Sequence, residues 1–242
     1  MDNRIESVLG RDQRRRQPIV KICGLKELSH ARAAAEAGAD MIGFVLAASR
    51  RRTTATAVRA IQDALRIESL APLFVGVFVN ASSDEINYMV VEAGLDAVQL
   101  SGDEMPNAID DIHVPVIKAI RPTVSSGESE LVRTADAWLN RARPAAALLF
   151  DAHVPGSYGG AGVLADWDAA RLLSQQYPVL LAGGLEPANV GDAIGFVQPL
   201  GVDVSSGVEI AGAKHPDRIA AFVAAARAGE SVASYPRGAR SV

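Results

Sequence analysis

A single cysteine, Cys23, stands in a chain of 242 residues. One thiol cannot close an intrachain disulfide or fill a zinc site by itself. A disulfide scaffold and a structural metal are therefore both disfavoured, and a reducing compartment is expected. Aromatic residues are also scarce, at 5%. Basic charge is not in excess: 24 Lys and Arg against 28 Asp and Glu give a formal net charge of −4, which leaves no electrostatic footprint for nucleic acid. Any anionic ligand must be held locally. No apolar run is long enough to span a bilayer, and the charged stretch Met1 to Gln17 lacks the apolar core of a signal peptide. The expectation is a soluble, cytoplasmic protein with neither a membrane nor a nucleic-acid partner.

What the chain does have is repetition of architecture. Hydrophobic residues make up 49% of it, and they gather in short β-branched runs, each followed by an Ala-rich, charge-studded stretch. That alternation predicts βα units and a parallel sheet. Eight runs are expected as strands: Ile19 to Cys23, Met41 to Leu46, Phe74 to Val79, Ala97 to Leu100, Val114 to Ile120, Ala146 to Asp151, Val179 to Ala182 and Val202 to Ser205. Helices are expected between them, for example Glu27 to Ala37, stopped by Gly38, and Ser83 to Ala93, capped by Ser82 or Ser83. Eight units in about 220 residues match a single (β/α)8 TIM barrel, whereas a doubly wound sheet has fewer strands. The expected layout is a charged, flexible leader over 1–17, one barrel over 18–228 and a flexible tail over 229–242.

In such barrels the chemistry sits at the C-terminal ends of the strands. Cys23 ends the first run, Ser49-Arg50-Arg51-Arg52 follows the second, Asp151 ends the sixth, and Ser205-Ser206-Gly207 ends the eighth. A solitary cysteine is more often a small buried hydrophobe than a reactive group, and an aspartate at a strand end is more often a loop cap than an acid. Their joint placement on one face argues for chemistry. Asp151 follows Leu148-Leu149-Phe150, so desolvation would raise its pKa and suit it to proton donation. The turns Gly183-Gly184 and Ser205-Ser206-Gly207 lie after strands seven and eight, where barrels commonly hold phosphate. The segment Pro155 to Gly162 is too Gly-rich for a helix and reads as a loop covering the site. Lys21 points the same way as Cys23 and needs an acidic neighbour. Asp203, on the adjacent strand of a closed barrel, is the candidate, and the lysine would favour the Cys23 thiolate.

Taken in order, Lys21-Ile22-Cys23-Gly24, Gly43-Phe44-Val45, Val75-Gly76-Val77-Phe78-Val79-Asn80, Val98-Gln99-Leu100, Leu149-Phe150-Asp151, Ala182-Gly183-Gly184-Leu185 and Val202-Asp203-Val204-Ser205-Ser206-Gly207-Val208-Glu209 closely resemble the phosphoribosylanthranilate isomerase family. The resemblance covers about Ile19 to Arg227. It implies an Amadori rearrangement of N-(5-phosphoribosyl)anthranilate in tryptophan biosynthesis, with Asp151 as general acid and Cys23 as general base and without metal or organic cofactor. It implies a small phosphorylated substrate whose phosphate meets Gly183, Gly184, Ser205, Ser206 and Gly207, with Asp203 counted in the binding set. An arginine after strand two would meet the substrate carboxylate; aligning the serines selects Arg51, an ungapped count selects Arg52, and Arg51 is favoured. The family's usual histidine after Val-Gln-Leu is Ser101 here. Whether the chain is a monomer or a homodimer stays open.

Overall fold

β-branched, apolar segments separated by Ala-rich ones become eight parallel strands hydrogen-bonded into a closed ring. The computed structural model describes Val8 and residues 17–122, 126–152 and 165–229. The strands are β1 (Ile19–Cys23), β2 (Met41–Val45), β3 (Leu73–Phe78), β4 (Ala97–Leu100), β5 (Val116–Ile120), β6 (Ala147–Phe150), β7 (Val179–Leu181) and β8 (Gly201–Val204). Closure brings β8 beside β1, with Lys21 in register with Asp203. The fold is thus the expected (β/α)8 barrel, and each expected strand is present with ends shifted by no more than a residue or two.

Helices α1 (Leu28–Glu36), α2 (Ala55–Ile67), α3 (Ser83–Ala93), α4 (Glu128–Leu139), α5 (Trp167–Ser174), α6 (Val190–Val197) and α7 (Pro216–Ala228) wrap the ring. Their starts follow local chemistry: Ser82 caps α3 by accepting from Glu85 N at 3.2 Å, and Thr54 caps α2 by accepting from Ala57 N. One unit departs from the expected alternation. Between β4 and β5 the chain makes only a 3₁₀ turn, Pro106–Ile109, because Gly102, Pro106 and Pro115 crowd a connection too short for a full helix and two loops.

Alternation along each strand sorts the core into two layers. Val20, Ile22, Ile42, Phe44, Val98 and Leu100 face the helices. Ile19, Met41, Val75, Ile117, Leu149 and Leu180 fill the barrel interior, and Val8 packs against this inner group. Burial of such a side chain contributes about 1.5–3 kcal/mol, and the layer between strands and helices is by far the larger of the two. The rest of the leader, the Gly-rich segment Pro155 to Gly162 and the tail beyond Gly229 lie outside the described residues. No helix among the described residues is long and apolar enough to cross a membrane.

After β8 a 3₁₀ turn (Ser206–Val208) leads into a small antiparallel hairpin, β9 (Glu209–Ile210) and β10 (Ala213–Lys214), before α7. This hairpin stands at the C-terminal mouth beside the loops after β1 and β2.

Candidate active site

Cys23 ends β1 buried, 7% exposed, with Lys21 two residues below it at 0%. Lys21 Nζ donates to Asp203 Oδ1 at 2.8 Å, and its charge acts on the Cys23 thiol. The partner position on β2 is Gly43, and that glycine makes the arrangement possible. A Cβ there would stand 2.8 Å from Cys23 Sγ and 3.2 Å from Lys21 Nζ, so a larger residue would displace thiol and ammonium together.

Burial pushes the Cys23 thiol above its ordinary value, Asp203 adds to the rise, and Lys21 and Lys214 pull it back only in part. Lys21 acts in the expected direction, toward the thiolate, but desolvation of the anion is the larger effect. Lys21 itself titrates well above its ordinary range, because the Asp203 and Cys23 anions outweigh its own burial.

Asp151 follows the last residue of β6 and is 8% exposed. Its Oδ1 accepts from Ala152 N at 2.9 Å, and Arg121 Nε lies 3.8 Å from Oδ2. Burial raises its pKa; Arg121 opposes the rise, Asp203 reinforces it, and Lys21 opposes it. Asp151 and Cys23 thus share the field of one ion pair, Lys21 with Asp203, at the centre of the mouth. A raised carboxyl stays protonated further into the neutral range, which suits proton donation.

The two glycine turns rest on each other. Gly183 and Gly184 have φ of +83° and +64°, a left-handed backbone that favours glycine. A Cβ on Gly207 would fall 1.9 Å from Leu185 O, and one on Gly183 would fall 2.8 Å from Ala152 N. The turn after β8 is thereby seated on the turn after β7, which is in turn seated on the segment beside Asp151. Ser205 Oγ donates to Cys23 O at 3.2 Å, and Ser206 opens the 3₁₀ turn that follows.

The arginine cluster divides cleanly. Arg51 is 9% exposed and turns its guanidinium onto Glu209, with Nε 2.7 Å from Oε1. Arg52 is exposed, its backbone bridged to Val45. Gly24 is required for this packing, since a Cβ there would meet Arg51 Cδ at 2.6 Å and Ser205 Oγ at 3.1 Å. Ser101 is buried, its hydroxyl accepting from Gln99 Nε2 at 2.9 Å and its carbonyl from Arg121 Nη1 at 2.9 Å. Its loop is pinned from below by Lys118, which donates to Gly102 O at 2.7 Å and to Glu104 Oε2 at 2.6 Å.

All nine expected site residues lie at one end of the barrel, on or just after its strands. Sequence reasoning missed Arg121, Glu209 and Lys214. Glu209 had a signal, as the acid that closes the eighth-strand motif. Arg121 had one as well, as the residue that follows the fifth strand; Lys214 had none, because only the β9–β10 hairpin brings it to the mouth. Among the described residues no group of three or more His, Cys, Asp or Glu is placed to hold a metal ion.

Comparison with known proteins agrees with this geometry. The family model for N-(5′-phosphoribosyl)anthranilate isomerase matches residues 20–225. N-(5′-phosphoribosyl)anthranilate isomerase of Roseiflexus sp. (strain RS-1) is 52% identical over 218 residues, covering 86% of this chain and 97% of that protein. A crystal structure of phosphoribosyl anthranilate isomerase from Thermotoga maritima superposes with a TM-score of 0.73 at 34% identity, covering 87% of this chain and 98% of its own. A phosphoribosyl anthranilate isomerase in complex with reduced 1-(o-carboxyphenylamino)-1-deoxyribulose 5-phosphate superposes with a TM-score of 0.70 at 33% identity, covering 87% and 98%. With more than four-fifths of its length matched by the family model and by relatives at these identities, the chain belongs to the N-(5′-phosphoribosyl)anthranilate isomerase family.

Proposed function

We propose that this chain converts N-(5-phosphoribosyl)anthranilate to 1-(2-carboxyphenylamino)-1-deoxyribulose 5-phosphate, the isomerase step of tryptophan biosynthesis, by acid and base catalysis without a cofactor. Asp151 gives its proton to the furanose ring oxygen, the C1′–O bond breaks, and the anilino nitrogen supplies the electron pair that leaves a protonated Schiff base. Cys23, as thiolate, then takes the C2′ proton, and the electrons of that bond neutralise the nitrogen and leave an enolamine. Tautomerisation moves a proton to C1′ and leaves the C2′ ketone, so no atom is gained or lost. The observation that carries this reading is the buried acid just after β6 sharing one charged centre, the Lys21–Asp203 pair, with the buried thiol that ends β1.

Gly183, Gly184, Ser205, Ser206 and Gly207 receive the phosphate through backbone N–H groups and hydroxyls. Arg51, rather than the exposed Arg52, receives the anthranilate carboxylate as a planar fork. Asp203 holds Lys21 in place beneath both reacting groups. Residues 18–228 carry the activity as one barrel, a reading supported by the family match. A reducing, cytoplasmic setting suits a mechanism that depends on a free thiol. The test is direct: purified protein in EDTA should consume freshly generated phosphoribosylanthranilate, seen as loss of its anthranilate fluorescence. Persistent fluorescence with folded protein would overturn the reading.

A further inference from the structure

Glu209 belongs neither to the proton-transfer pair nor to the glycine turns, yet three cations converge on its carboxylate, whose side chain is 7% exposed. Arg51 donates from Nε to Oε1 at 2.7 Å and from Nη2 to Oε2 at 3.1 Å. Arg50 Nη2 donates to Oε2 at 3.0 Å, and Lys214 Nζ lies 3.1 Å from Oε1. Burial works to raise this carboxyl, but the Arg51 hydrogen bond and the Lys214 charge outweigh it and hold it below its ordinary value. Glu209 is therefore an anion throughout the neutral range.

Lys214 carries the connection onward. Its Nζ donates to Ser205 O at 2.7 Å and to Ser205 Oγ at 3.2 Å, and Ser205 Oγ donates to Cys23 O. One run of hydrogen bonds thus joins the arginine arm, the phosphate turn and the backbone of the thiol. The bidentate pair with Glu209 uses only one edge of the Arg51 guanidinium. Its other edge, Nη1 and the second Nη2 hydrogen, has no hydrogen-bond partner among the described residues. Beside the cluster, a cavity of about 160 Å³ is bounded by Arg50, Arg51, Glu209 and Lys214 and, on its other side, by Lys26, Glu27 and His30.

We propose that Glu209 is a positioning residue for the substrate carboxylate. It grips the inner edge of Arg51 so that the outer edge is presented as a fixed fork, while Lys214 sets the spacing between that fork and the phosphate turn. The inference rests on the reading of Arg51 as the carboxylate receptor. Arginine is long and flexible, and holding it in the bound geometry beforehand removes its ordering cost from the binding step.

Electrostatics alone demands the opposite of positioning. Glu209→Gln would leave Arg50, Arg51 and Lys214 without their anion, and extra positive charge should attract a carboxylate more strongly. If positioning dominates, the same variant releases Arg51 toward solvent and the carboxylate binds more weakly. The sign of the effect therefore separates the two.

The experiment compares inhibition constants for two analogues, reduced 1-(o-carboxyphenylamino)-1-deoxyribulose 5-phosphate and the same molecule lacking the carboxyl group. Both carry the phosphate, so the ratio of their constants isolates the carboxylate and is insensitive to the fraction of protein folded. Arg51→Ala should lower the preference for the carboxylated analogue about 100-fold, Glu209→Gln about tenfold, and the double variant no further than Arg51→Ala alone. Lys214→Met, which keeps the Arg51–Glu209 contact, should lower it by a few fold and serves as the second variant if Glu209→Gln does not fold. A ratio unchanged or raised in Glu209→Gln while Arg51→Ala collapses it overturns the role of Glu209. A ratio unchanged in Arg51→Ala overturns the assignment of Arg51, and the inference with it.

Discussion

Two rings of inward-facing side chains stack inside the same eight strands and have opposite chemistry. On the floor, Ile19, Met41, Leu73, Ala97, Ile117 and Ala147 meet as a dry cluster. Two residues further along the strands the interior turns polar at Lys21, Gln99 and Asp203, and at the mouth stand Cys23, Ser101, Asp151 and Ser205. The backbone is regular through both levels, so nothing in strand geometry distinguishes them. The difference lies in what burial does. At the floor it stabilises apolar groups. At the mouth it raises the pKa of an acid and a thiol and must be offset by ion pairs. The mouth is costly to fold and useful for that reason.

Substitutions should break the comparison in opposite directions. The largest effect belongs to the proposed proton-transfer pair: Asp151→Asn and Cys23→Ser should each lower kcat by about 10³-fold, within the usual range for lost acid–base catalysis, measured by the fluorescence assay. Stability should not follow. A carboxyl whose pKa is raised in the folded state contributes stability below its unfolded pKa that is lost as pH rises through the folded value. Asp151→Asn removes that loss, so its melting temperature at pH 7 should equal or exceed that of the unmodified protein.

Lys21→Met sits between the two levels and should damage both. It leaves the Asp203 carboxyl buried without the cation it is bonded to, a change expected to cost about 3–5 kcal/mol in urea unfolding. It also removes the cation nearest the thiol, so alkylation of Cys23 by iodoacetamide should shift to higher pH. If stability were unaffected, the ion pair would not be the support of the mouth. Leu73→Ala, on the floor, should cost about 2–5 kcal/mol of stability as a cavity with kcat changed less than threefold.

The smallest effect is on pH dependence. In the proposed mechanism the reacting form needs Asp151 protonated and Cys23 ionised. Since the acid has the lower pKa of the two, activity should fall below the Asp151 pKa, where the thiolate vanishes, and above the Cys23 pKa, where the carboxylic acid does. Both limbs of the kcat/KM profile should stand above the ordinary values of about 3.9 and 8.5. Arg121→Gln removes a cation that holds Asp151 down, so it should move the acid limb upward again. A limb moved downward would contradict the electrostatics of the mouth.

Much of this was legible in the chain. Strand ends were readable because parallel barrel strands, buried on both faces, appear as short β-branched runs, and polar groups at their C-terminal ends are exceptions to that pattern. Lys21 and Asp203 could be paired on paper because closure makes the first and last strands neighbours. The fourth helix was misread, since an apolar-polar stretch between two strands looks helical until Pro106 and Pro115 are set against the distance to be crossed. Arg51 and Arg52 could not be separated by alignment; the loop turns one onto Glu209 and the other into water.

By itself the sequence determined the barrel, its strand order and the presence of an acid and a thiol at one face, because these follow from local periodicity and from a rule of closure. Tertiary structure alone decided the net direction of the Cys23 pKa and the linkage of Arg51 through Glu209 and Lys214 to Ser205. Those depend on desolvation and on contacts across about 160 residues of sequence between Arg51 and Glu209, and no local pattern encodes either.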